Sequence, residues 1–126
     1  MSPFAICLKG LRLSWGVKQK ALAFHLGYEP SYISALERGE KGPPREDFVN
    51  RLIRGLELDE AELESLRHAL ATSRRQIWLP AKASEQEYAL IHRLEPQLGQ
   101  LHSLQVELIE LALRLPSVFA GPRQSS

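Results

Sequence analysis

Between Gly27 and Gly39 the chain reads GYEPSYISALERG, and the helix-like run inside it, Ser31 to Arg38, has only about eight residues. A helix that short is marginal in water, because nucleation fixes several dihedral angles for very few hydrogen bonds. This run is helical only if its neighbours hold it. The N-terminal half is thereby constrained: helices on either side must turn apolar faces toward one short segment, through tight turns.

The flanking sequence meets that requirement. Ser2-Pro3 reads as an N-cap followed by proline at the first helical position. Phe4, Leu8, Leu11 and Trp15 then share one helical face, and Gly16 ends the run. Gly10 inside it costs about 1 kcal/mol relative to alanine. A second helix, from about Lys18 to Leu26, turns Leu22, Ala23 and Leu26 inward, and Gly27 stops it. A third follows from Pro30 to Arg38, then a glycine- and proline-rich loop to Pro44. The fourth, Arg45 to Leu56, carries the apolar stripe Phe48, Val49, Leu52, Ile53 and Leu56. Asp59 with Glu62 forms a capping box, with Leu58 and Leu63 placed as a staple, and opens a fifth helix that closes near Arg74-Arg75.

Beyond QIWLPAKA (76–83), a connector, Ser84 with Glu87 is a second capping box. It opens a helix carrying Tyr88, Ile91 and Leu94, interrupted by Pro96 and Gly99. A last helix runs from about Ser103 to Leu115 and ends at Pro116. No run carries a strand pattern, so the expected class is all-α. The expected organisation is an N-terminal domain over 1–75, a connector over 76–83, a helical segment over 84–116 and a disordered tail over 117–126.

Net charge is +1, but it is unevenly spread. Residues 1–56 carry nine Lys/Arg against five acids, and residues 57–126 carry seven against ten. The basic half points to a local anionic partner, with ordinary surface scatter as the alternative. The single cysteine, Cys7, rules out an intrachain disulfide and a thiolate metal site, and its apolar neighbours make it read as a buried structural thiol. His25, His68, His92 and His102 lack partners at ligand spacing. Trp15, Trp78 and Tyr28 read as packing residues. No activated nucleophile, phosphate loop or carboxylate pair suggests an enzyme, and no cofactor is expected. The lack of a secretory leader or a membrane-length apolar run points to the cytoplasm.

QKALAFHLGYEPSYISALERGE carries the functional signal. Two helices crossing through a tight turn need a small residue at their contact, Ala23, and a residue that accepts positive φ, Gly27. Gln19, Ala23, Gly27, Tyr32-Ile33-Ser34 and Glu37-Arg38-Gly39 fall where such a unit needs them. This stretch resembles the helix-turn-helix of the lambda-repressor-like (Cro/repressor, XRE) family, over roughly residues 3 to 73. The resemblance implies a five-helix domain that binds double-stranded DNA with its third helix in the major groove. It implies base-facing places for Glu29, Pro30, Ser31, Tyr32 and Ala35, and phosphate contacts for Lys18, Gln19, Arg38, Lys41 and Arg45. Lys18 stands where the family usually caps its second helix with Ser or Thr. Pro30, Ser31 and Ala35 offer no bidentate base contact, so DNA shape is expected to contribute.

Such domains usually bind as two-fold dimers on half-sites about one turn apart. The last helix is apolar over most of its circumference. Leu104, Leu108, Leu111 and Leu115 form one stripe, and Val106, Ile109 and Leu113 extend it. The expectation is an all-α chain whose C-terminal two-helix extension dimerises through Leu104, Leu108, Ile109, Leu111 and Leu115. The alternative is that these helices fold back on the N-terminal domain. The functional expectation is a transcriptional regulator, a repressor on a pseudo-palindromic operator. The competing readings are an antitoxin whose C-terminal helices bind a toxin, and an adaptor that no longer binds DNA.

Overall fold

The computed structural model describes residues 1–115, so Pro116 as a helix end and the tail 117–126 lie outside the described residues. The chain divides into two compact units between Trp78 and Leu79. Every regular element among the described residues is helical.

The first unit contains α1 (Pro3–Trp15), α2 (Gln19–Leu26), α3 (Pro30–Glu37), α4 (Glu46–Gly55) and α5 (Glu60–Ala71). Ser2 accepts from the Ala5 N–H at 3.1 Å and caps α1. Gly16 and Gly27 end α1 and α2 in the left-handed conformation, at φ +76° and +81°, which a Cβ would strain. The Asp59–Glu62 capping box at α5 is complete in both directions. Phe4, Leu8, Leu22, Leu26, Ile33, Leu36, Phe48, Leu52, Leu56 and Leu66 form one core to which all five helices contribute. α1 packs on both α3 and α5, and α2 packs on α3 and α4. The Phe4 N–H also donates to the buried Ser73 hydroxyl at 2.8 Å, tying the start of α1 to the end of α5. Burial of Ile33 and Leu36 in this core holds the eight-residue α3 helical.

Two expectations change here. Trp78 does not pack: it is 85% exposed. Trp15 is also on the surface, although its ring meets that of His25 at 5.1 Å. Trp15 lies in the final turn of α1 and Trp78 lies beyond α5, where the helices no longer enclose a side chain. Cys7 is half-buried, and burial pushes its thiol pKa up.

The second unit contains α6 (Glu85–Leu94), a 3₁₀ turn (Glu95–Gln97) and α7 (Ser103–Leu113). Ser84 and Glu87 complete their capping box. Pro96 falls in the 3₁₀ turn and Gly99 adopts φ +90°, so the break falls where the sequence pattern is interrupted. No residue of this unit is buried among those described.

Candidate nucleic-acid interface

α2 and α3 are joined by Gly27, Tyr28 and Glu29. Gly27 allows a left-handed turn, and a Cβ there would lie 3.2 Å from the Arg51 guanidinium. Arg51 reaches back to donate to the Leu26 carbonyl at the end of α2, 3.3 Å away, and covers the Tyr28 ring. Tyr28 stacks on Tyr32 with ring centres 5.3 Å apart, and both meet the edge of Phe48. The two tyrosines thus fix the angle at which α3 leaves the turn.

The other end of α3 is held by an ion pair. Arg12 of α1 and Glu37 of α3 are both buried, with Nε and Oε2 2.7 Å apart and a second bond at 3.0 Å. Arg12 also donates to the Val17 carbonyl, and the Gln19 amide donates to Glu37 at 3.0 Å. One buried carboxylate therefore joins α1, α2 and α3. The hydrogen bond to Glu37 is the main reason the Arg12 pKa lies above its ordinary value. Arg12 had been counted in the basic surplus of the N-terminal half. It is only 8% exposed and is not open to an outside anion. Its partner is one of the five acids, so the surplus itself is unchanged.

With both ends fixed and Ile33 and Leu36 inside, α3 leaves one strip open: Glu29, Pro30 and Ser31 exposed, Ser34 half-buried and Arg38 exposed beyond the helix end. Ser31, Ser34 and Arg38 are spaced along one helical face.

A family model described as a helix-turn-helix domain matches residues 3–66, just over half of the chain. The chain belongs to the helix-turn-helix domain family. Neither the curated proteins nor the solved structures gave a match. The motif is a DNA-binding one, in which the second helix of the pair enters the major groove.

The helix-turn-helix reorders the expected site residues. Ala35 is a correction: at 8% exposed it faces the core beside Ile33 and Leu36, so its methyl is not open to a thymine. Helical spacing instead puts Ser34, half-buried, on the open strip between Ser31 and Arg38. Tyr32 is half-buried in the aromatic cluster, and Lys41 Nζ lies 5.8 Å from its ring centre. Among the described residues its hydroxyl has no hydrogen-bond partner. Gln19 sits at the first turn of α2 with its amide turned to Glu37. Lys18, Lys41 and Arg45 are exposed and form no ion pair among the described residues. Arg38 is paired with Glu40.

Three N-termini in the helix-turn-helix unit share an omission. α2, α3 and α4 begin at Lys18, Glu29 and Arg45, and none has a side-chain cap. The other four α-helices all have one. Lysine and arginine at an N-cap also oppose the positive end of the helix dipole. Arg74 and Arg75 lie nearby in space: Arg75 donates to the Gly39 carbonyl, and both line a recess of about 380 Å³ with Gly42, Pro43 and Gln76. The sequence pattern explained these two arginines only as the basic end of α5.

No group of three or more His, Cys, Asp or Glu among the described residues is placed to hold a metal ion. No helix there is long and apolar enough to cross a membrane.

Proposed function

We propose that this protein is a sequence-specific DNA-binding transcriptional regulator, acting as a repressor that occludes its operator as a homodimer. The observation that carries the DNA reading is the pair of cationic N-caps, Lys18 on α2 and Arg45 on α4. A serine or aspartate at each place would stabilise its helix by about 1 kcal/mol. Elsewhere the fold uses such residues, Ser2, Asp59 and Ser84. A cation beside free N–H groups is unfavourable in the free protein and favourable once a phosphate arrives. Lys18 and Arg45 then bracket α3, with Lys41 between them in sequence. Base choice falls to Glu29, Pro30, Ser31, Ser34 and the Tyr32 hydroxyl. Hydroxyls bond to several bases, so DNA shape shares the specificity.

Dimerisation is supported by the second unit. Leu104, Leu108, Ile109, Leu111 and Leu115 are all exposed. A helix apolar over most of its circumference needs protein on more than one side, and a two-fold copy of the chain also supplies the second half-site.

Selection of bound duplexes from random sequence tests this reading. The expected product is a pseudo-palindrome with half-sites about one helical turn apart. Recovery of unenriched random sequence would sink it.

A further inference from the structure

Arg38 stands at the end of the open α3 strip, where the DNA reading assigns it a phosphate. Its guanidinium is already engaged. Nε donates to Glu40 Oε1 at 3.0 Å and Nη2 to Oε2 at 2.9 Å, while Nη1 donates to the Ser34 hydroxyl. This is the two-pronged geometry with which arginine grips a carboxylate or a phosphate. The fork therefore already has the shape a phosphate needs, and an anion of the chain's own fills it.

Solvent access separates this pair from the other arginine–glutamate pair in the domain. The Arg38 and Glu40 side chains are 54% and 59% exposed, against 10% and 3% for Arg12 and Glu37. A pair this open to solvent is only weakly held, so an outside anion can displace it. The Glu40 carboxyl is nonetheless held below its ordinary pKa, first by the hydrogen bond from Arg38 and then by its charge. It is ionised at neutral pH and competes as an anion.

We propose that Glu40 is a built-in competitor for the phosphate that Arg38 binds, and that it thereby sets the affinity of the protein for DNA. The proposal rests on the DNA-binding reading. In the free chain Glu40 occupies the guanidinium fork; in the complex a phosphate diester takes its place with two unesterified oxygens. Glu40 thus opposes binding by holding the Arg38 guanidinium away from the backbone. Ser34 belongs to the same device, because its hydroxyl is tied to Arg38 until the fork turns outward.

Backbone contacts are independent of sequence, so a short fluorescent duplex of mixed sequence is a sufficient probe for the full chain. Binding is measured from about 50 to 200 mM salt, the range over which phosphate contacts are strongly weakened. Glu40→Gln should bind about two- to fivefold more tightly at the low end, the range an exposed pair allows. The gain should shrink as salt rises and vanish in an Arg38→Gln background. Glu40→Ala should repeat it, and Glu64→Gln, which removes the same charge from the exposed face of α5, should not. Equal or weaker binding by both Glu40 variants overturns the proposal. So does a gain that survives loss of Arg38, or an equal gain from Glu64→Gln. Wild-type protein that binds the duplex without salt dependence, or not at all, overturns the DNA-binding reading and this inference together; wild-type binding without the Glu40 gain overturns the inference alone.

Discussion

α4 and α7 are of similar length and opposite design, and they represent the two units of the chain. α4 has four large apolar residues on one face, Phe48, Val49, Leu52 and Ile53, and charge on the other. Its apolar face is covered within the first unit, where Phe48 and Leu52 are buried. α7, SLQVELIELAL, is apolar over most of its circumference, with Ser103, Glu107 and Glu110 as a polar strip, yet none of its residues is buried. The more apolar helix is therefore the less covered one. A stripe needs one neighbour, which a five-helix domain supplies; an apolar arc that covers most of a helix needs more than one, and a two-helix unit has one to give. Closure depends on matching the apolar arc to the neighbours available.

The sharpest way to break that comparison is to make α7 polar. Leu108→Glu with Leu111→Glu should convert a dimer into a monomer in light scattering. Unfolding of the first unit should move by less than about 0.5 kcal/mol, as for ordinary surface changes. Operator binding should fall by about a hundredfold to ten-thousandfold, because two linked half-site contacts become independent ones. A wild-type chain that scatters as a monomer would break the comparison itself. The α7 surface would then call for a different protein, as the antitoxin reading supposes.

Much of this was legible beforehand because local chemistry decides it. Gly16 and Gly27 end helices, Asp59–Glu62 and Ser84–Glu87 start them, and the α4 stripe has a helical period. Features made by side chains far apart in sequence were not legible. Nothing in the spacing of Arg12 and Glu37 announces an ion pair across 25 residues. Of the places expected to face the bases, Ala35 turns into the core and Tyr32 into the aromatic cluster, while Ser34 lies on the open strip. A helix of eight residues has too few turns for its pattern to define its rotation, and only the core contacts of Ile33 and Leu36 do so. Arg74 and Arg75 read locally as the basic close of α5, but α5 ends at Ala71 and the two arginines lie beyond it, against the Gly39–Pro43 loop.

The Arg12–Glu37 pair sharpens the comparison from the closed side. Arg12→Ala leaves a carboxylate buried with only the Gln19 amide, and should cost about 3–5 kcal/mol of stability in denaturant unfolding. Arg12→Met with Glu37→Leu should recover most of that loss, since an apolar pair of similar volume removes the uncompensated charge. Neither change should alter dimerisation through α7. If Arg12→Ala unfolds like the wild type, the pair is not what holds the end of α3, and the core alone suffices.

The smallest effects come from the helix caps, and they should run in opposite directions in the two units. Lys18→Ser supplies the cap that α2 lacks and should stabilise the first unit by about 1 kcal/mol. It also removes one phosphate contact, so the salt slope of duplex binding should fall by about one. Ser84→Ala removes the cap of α6, where the Ser84 hydroxyl accepts from the Glu87 N–H at 3.1 Å. It should cost about 1 kcal/mol in α6, seen as weaker dimerisation with the salt slope unchanged. pH gives a second handle on that box. The Glu87 carboxyl is held below its ordinary range, first by the Ser84 backbone N–H and then by the Ser84 side chain. Its stabilisation is complete above the ordinary carboxylate range and is lost as pH falls through the lowered value. Acid should therefore weaken α6 in the wild type more than in Glu87→Gln, a difference that circular dichroism of the two chains would detect. A Lys18→Ser protein that is more stable and binds the duplex with an undiminished slope would separate capping from DNA contact, and would return the omitted cap to chance.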